Sequence, residues 1–186
     1  MNCSQTPSVF ASRGKHHRGA AALYGLVSVC LSWCLQVPAF AQDEEAKKPF
    51  VESELRLPAM AEEKNLLFFH RSETQQFFLD TKSLSIAEDG SFRYTLVAKS
   101  LAGATSISYE GMRCETLERR LFAFGRKDGS WTEARNKEWL SISSSDNNRQ
   151  QSILAWDYVC SYRRIAGSVD NVVHRIRKGE SLQRSP

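Results

Sequence analysis

Glu88-Asp89-Gly90-Ser91, followed by Phe92-Arg93-Tyr94-Thr95-Leu96-Val97-Ala98-Lys99-Ser100, is the stretch whose reading decides the fold. Asp-Gly ahead of an alternating run marks a tight hairpin turn, because glycine takes the positive φ such turns require without a steric penalty. Beyond the turn, Phe92, Tyr94, Leu96 and Ala98 alternate with Arg93, Thr95, Val97 and Lys99. A period of two places the first set on one face of a strand and the second on the other. The pattern predicts a buried face and a largely wet one, as in an antiparallel sheet covered on a single side.

Further strands lie on either side of this run. Upstream, Leu66-Leu67-Phe68-Phe69 and Gln76-Phe77-Phe78-Leu79 are short apolar runs of strand type; Asp80 to Ser83 turns the chain, and Leu84-Ser85-Ile86 follows. Downstream, Gly103 marks a turn and Thr105 to Met112 returns with Ile107 and Tyr109 on one face. Gly111 within that strand reads as a site of close packing or a bulge. Residues 113–124 fit two patterns, since Leu117, Leu121 and Phe124 also match helical spacing. Strand is preferred, because Lys127-Asp128-Gly129-Ser130 repeats the hairpin signal ahead of Trp131-Thr132-Glu133-Ala134.

Near the C-terminus the period changes. Asp146 or Asn147 can cap a helix running to about Tyr158 with Ile153, Leu154 and Tyr158 inward. Ser168 caps a second helix with the stripe Val169, Val172, Val173 and Ile176; cationic Arg175, Arg177 and Lys178 sit in its last turn, and Gly179 ends it. Strands followed by helices predict an α+β fold: an antiparallel sheet of about five to six strands with two C-terminal helices on one face.

The N-terminal segment has the pattern of a secretory signal. Arg13, Lys15 and Arg18 precede an apolar run from Ala20 to Leu35, and Ala39-Phe40-Ala41 after Pro38 predicts cleavage behind Ala41. The run is shorter than the ~20 residues a membrane span needs. Trp33 before Cys34 does not suit a lipoprotein, and no adjacent arginine pair marks a twin-arginine signal. The expected organisation is a signal over 1–41, a flexible charged tether over 42–64, a single domain over 65–180 and a disordered tail over 181–186. Within the tether, Phe50 and Val51 are the positions expected to touch the domain. The expected location is the periplasm, with no membrane span after cleavage.

Cleavage changes the charge and the cysteine count. The whole chain carries +4, but after Ala41 there are 22 basic and 21 acidic residues, a net +1. That near-balance argues against nucleic acid as a partner. Of five cysteines only Cys114 and Cys160 follow the signal. In an oxidising compartment two cysteines most simply pair, here closing a loop of about 47 residues and tying a central strand to the first helix.

The strings Tyr109-Glu110-Gly111-Met112-Arg113-Cys114, Phe122-Ala123-Phe124-Gly125, Asp128-Gly129-Ser130-Trp131, Ala134-Arg135-Asn136 with Trp139, and Asp157-Tyr158-Val159-Cys160 occur in this order. In them the chain resembles the family of exported bacterial proteins named after the cryptic neisserial protein, over roughly Leu66 to Arg177. Val159 stands where members tend to carry phenylalanine. The resemblance implies export, one disulfide and one domain, and it brings no catalytic residue.

Catalytic patterns are sparse. His70 and His174 are the imidazoles after Ala41, and neither G-x-S-x-G, H-E-x-x-H nor an EF-hand loop occurs. No cofactor or metal is expected. Carboxylates such as Glu110, Glu115 and Glu133 read as surface charges. The aromatic residues are the more informative set. Tyr109, Trp131 and Trp139 with Arg113 and Arg135 form a candidate recognition face, arginine gripping an anion beside stacking rings, against the alternative that Trp131, Trp156 and Tyr158 fill a small core. The expected function is an envelope binding or interaction module for a protein or peptide partner; an enzyme with an unrecognised site and a small-ligand carrier are the alternatives.

Overall fold

Gly90 stands at φ 76°, and its N–H donates to the Ala87 carbonyl at 2.9 Å while the Ala87 N–H donates to the Ser91 carbonyl at 2.9 Å. The expected turn therefore closes, joining Ser85–Ile86 to Phe92–Ser100. The computed structural model describes residues 49–143 and 148–183. The signal expected over 1–41, residues 42–48 of the tether, the Asp146 or Asn147 cap and residues 184–186 lie outside them.

In chain order the strands are β1 (Leu66–Arg71), β2 (Gln75–Asp80), β3 (Ser85–Ile86), β4 (Phe92–Ser100), β5 (Thr105–Arg113), β6 (Glu118–Gly125), β7 (Trp131–Glu133) and β8 (Leu140–Ser141). All pairings are antiparallel in one sheet of order β1-β2-β4-β5-β6-β7, with β3 on β4 and β8 on β6. Helix α1 (Arg149–Ile153) continues as a π-helix over Leu154–Val159; the small hairpin β9 (Cys160–Ser161) and β10 (Arg164–Ile165) and helix α2 (Val169–Lys178) follow. The α+β architecture with an antiparallel sheet and two helices is as the sequence predicts. Residues 113–124 are strand, interrupted by a turn over 114–117 that separates β5 from β6.

The helix-side core forms around Phe92, Tyr94, Leu96 and Ala98, which meet Leu79, Met112, Leu154, Val159, Val172 and Ile176. Ser168 caps α2 by accepting the Asn171 N–H while the Asn171 side chain returns to the Ser168 N–H, and Gly179 closes the helix at φ 66°. The first helix differs from expectation. π-winding turns Leu154, Ala155 and Val159 inward and leaves Trp156 40% exposed, because the wider turn shifts each residue around the axis. The Cys114–Cys160 disulfide forms, with a Cα separation of 5.3 Å. It joins the turn after β5 to the first residue of β9, so it links the ends of a strand and a helix rather than their bodies.

Two further expectations need correction. The second face of β4 is not wet: Arg93, Thr95 and Val97 are 4%, 0% and 2% exposed. What covers it includes part of the stretch expected as a flexible charged tether over 42–64. Residues 49–62 run without helix or strand beside this face, and their contacts reach Asp89, Arg113, Arg120, Trp131 and Trp139. The reason is chemical: Phe50 supplies a ring, Glu52 a carboxylate and Pro58 a free carbonyl to partners on the sheet. The described residues accordingly fall in one compact unit. At the other end, Ser181 donates to Asp157 at 2.8 Å and the Leu182 N–H to the Asp157 carbonyl at 2.8 Å, so residues 181–183 are tied to the π-helix.

Candidate functional site

The outer face begins with a bulge. Between the pairs Tyr109↔Ala123 and Glu110↔Leu121, β6 has one extra residue, Phe122. A bulge re-aims a side chain that simple alternation would send elsewhere. Here it delivers Phe122 beside Ala123 and Tyr109, where Trp131 and Trp139 pack against them. Gly111 makes room for that ring: a Cβ there would lie 2.7 Å from the Phe122 ring and 3.1 Å from Trp139. The aromatic centroids are 6.0 Å apart for Tyr109–Phe122, 6.2 Å for Tyr109–Trp131 and 6.1 Å for Phe122–Trp139.

Guanidinium groups stack on these rings. Arg93 lies 4.1 Å from the Phe122 centroid, Arg120 5.1 Å from the same ring, and Arg113 5.4 Å from Trp139. Arg93 is held by Asp89 at 2.7 Å and Ser91 at 2.7 Å. Burial pushes the Asp89 carboxyl up, but the Ser91 hydroxyl, the Ser53 and Ser91 N–H groups and Arg93 together hold it at about 2. Burial also raises the Tyr109 phenol.

The N-terminal strap (residues 49–62) meets this surface group by group. Glu52 pairs with Arg120 and accepts the Trp139 indole N–H at 3.1 Å. Trp131 donates its indole N–H to the Pro58 carbonyl at 2.8 Å. Phe50 covers the Arg113 guanidinium at 3.7 Å and meets Trp139 edge-on at 5.8 Å. Ser53 and Asp89 exchange two hydrogen bonds, at 2.9 and 2.8 Å.

Tyr109, Trp131 and Trp139 thus come together, with Arg113 at their margin. Arg135 does not join them; it is exposed and shares no hydrogen bond, ion pair or ring contact with the set. Sequence reasoning missed Phe122, Arg93, Arg120, Glu52 and Ser53. Only Phe50 carried a signal, an aromatic residue inside a charged stretch. On the helix side, Glu110 is buried and accepts from Tyr94 at 2.9 Å, Ser108 at 2.7 Å and Gln151 at 3.2 Å, contrary to its reading as a surface charge. Burial and the Glu110 carboxylate raise the Tyr94 phenol well above its ordinary value.

The histidines lie elsewhere. His70 stacks on Phe77 at 5.8 Å, and burial with the nearby Arg149 lowers its pKa; His174 sits on α2, 4.0 Å from Glu180. Among the described residues no group of three or more His, Cys, Asp and Glu could hold a metal ion. No helix among them is long and apolar enough to cross a membrane.

Fold and site together define a disulfide-bonded α+β domain whose sheet carries helices on one face and a strapped aromatic–arginine surface on the other. The chain belongs to the CNP1-like family, whose model matches residues 45–177 and so takes in the strap as well as the sheet. No curated protein and no solved structure gives a significant match.

Proposed function

We propose that the chain is an exported, periplasmic interaction module that binds an extended segment of a partner protein on the face where its own strap lies, acting by binding rather than catalysis. The observation that carries this reading is the manner in which the strap is held: two indole N–H groups and one arginine grip a backbone carbonyl and a carboxylate of an extended segment. Those are the elements by which grooves recognise peptides, with main-chain bonds for affinity and side-chain pockets for choice. Export is supported by the basic and apolar N-terminal pattern with Ala39-Phe40-Ala41 and by the disulfide.

A tethered segment competes with partners at an effective concentration of order millimolar. The double variant Phe50→Ala/Glu52→Ala is therefore expected to expose the face. A synthetic peptide spanning residues 49–62 should bind the double variant at least about tenfold more tightly than the parent. Trp139→Ala added to the double variant should then weaken the peptide again. Absence of peptide binding by the folded double variant refutes the reading.

A further inference from the structure

We propose that the cleft beside the hairpin of β9 and β10 is a binding site for a small ligand carrying a phosphate or carboxylate on an apolar body. The first observation is backbone strain. The two-residue turn between these strands is Tyr162-Arg163, with φ 46° and 61°. Asn-Gly ordinarily fills such a turn, because Cβ opposes positive φ. A strained turn is kept when its surroundings over-determine it, and such strain gathers at ligand sites. Packing among the described residues does not hold the tyrosine, which is 99% exposed. Its ring is offered outward.

The second observation is what the turn faces. Tyr162, Arg163 and Arg164 line a cleft of about 660 Å³ with Arg113, Ile86 and Phe50 of the strap. Arg163 uses one N–H on the Glu115 carbonyl at 2.9 Å and keeps the rest of its fork. Arg164 has no carboxylate partner among the described residues, and Arg113 has Glu118 at 3.1 Å. Two carboxylates share the lining, Asp89 and Glu115. Asp89 is committed to Arg93, Ser53 and Ser91, which leaves the arginines in excess. Guanidinium forks match planar carboxylate and phosphate groups. Ile86, 43% exposed, and Tyr162 supply the apolar contact such a ligand needs beside its anion.

Phe50 of the strap borders the cleft beside Arg113, but Arg163, Arg164 and Tyr162, on which the inference rests, share no bond with the strap. The test titrates the purified, disulfide-intact protein with phenyl phosphate, benzoate and phenol by calorimetry, and with phosphatidylglycerol and phosphatidylcholine vesicles by co-sedimentation. Either soluble anion, or the phosphatidylglycerol vesicles, should bind saturably, and phenol should not. Binding by vesicles assigns the anion to a lipid headgroup; binding by the soluble probes alone assigns it to a free ligand. Arg163→Ala/Arg164→Ala should weaken binding at least about tenfold. Tyr162→Gly suits the positive φ, so Tm should hold or rise while affinity falls several-fold. Lys178→Ala, an exposed cation of α2 outside the cleft, should leave anion binding intact. The proposal is overturned if no anionic probe binds, if phenol binds equally, or if the arginine double variant binds as the parent does.

Discussion

Asp89 shows how much one turn residue can hold. Its carboxylate accepts from the Ser53 N–H at 2.9 Å, the Ser91 N–H at 2.8 Å, the Ser91 hydroxyl at 2.5 Å and Arg93 at 2.7 Å, with its side chain and that of Arg93 0% and 5% exposed. A carboxyl held at about 2 against an ordinary 3.8 binds its proton less readily when folded than when unfolded. Its stabilisation, roughly 2 kcal/mol, is therefore present above pH 4 and lost as pH falls from about 4 to 2. Asp89→Asn should cost about 3 kcal/mol at pH 7, because Arg93 is left buried without its counter-charge. Urea unfolding at pH 7, 4 and 2.5 checks both parts: the variant should be less stable at pH 7, and its loss of stability between pH 4 and 2.5 should be smaller than the parent's. In the sequence, Asp89 was legible only as a turn residue. Its partner Arg93 read as solvated because the pattern of one strand does not reveal what covers its polar face.

At the scale of elements, the sequence was most informative where local chemistry dominates. The β4 strand, the Asp89-Gly90 turn, the Ser168 cap and the Gly179 stop all follow from steric and hydrogen-bonding preferences of single residues, and all form. The break between β5 and β6 was less legible, because Leu117 turns the chain at φ 55°, which an aliphatic side chain does not advertise. The π-winding of Leu154–Val159 and the bulge at Phe122 were not legible at all. Each inserts a residue into a regular count, and only packing against other elements makes that worthwhile. The bulge yields a prediction. Gly111→Ala sets a Cβ against the Phe122 ring, and should cost about 1–3 kcal/mol through displacement of that ring. In a Phe122→Leu background the same change should cost less than half as much, because the nearest obstructing atoms are gone and only Trp139 at 3.1 Å remains. A double-mutant cycle by denaturant unfolding reads the coupling, and purely additive effects would show that the Gly111–Phe122 contact is not what fixes the strand.

Across the whole molecule, the strap and the disulfide decide how far residues distant in the chain act together. Residues 49–62 read as a tether because composition reports charge and proline, whereas their docking depends on a surface assembled from β4, β5, β6 and β7. The disulfide was legible, since the expected signal cleavage would leave two cysteines and one pairing. Its stabilising action is mainly on the unfolded chain, where closing a loop across a separation of 46 residues removes conformations worth about 4 kcal/mol. Cys114 and Cys160 are 3% and 5% exposed, so serine at either site also buries a hydroxyl, at similar cost. Cys114→Ser and Cys160→Ser should therefore destabilise the oxidised protein about equally, by about 4 kcal/mol, and the double variant should be little worse than either. Urea unfolding of the four proteins checks this, with reduced parent as the control expected to match the variants. A double variant that loses the sum of the two single losses would mean that the cysteines stabilise the fold separately, through their own packing, and not through the bond between them.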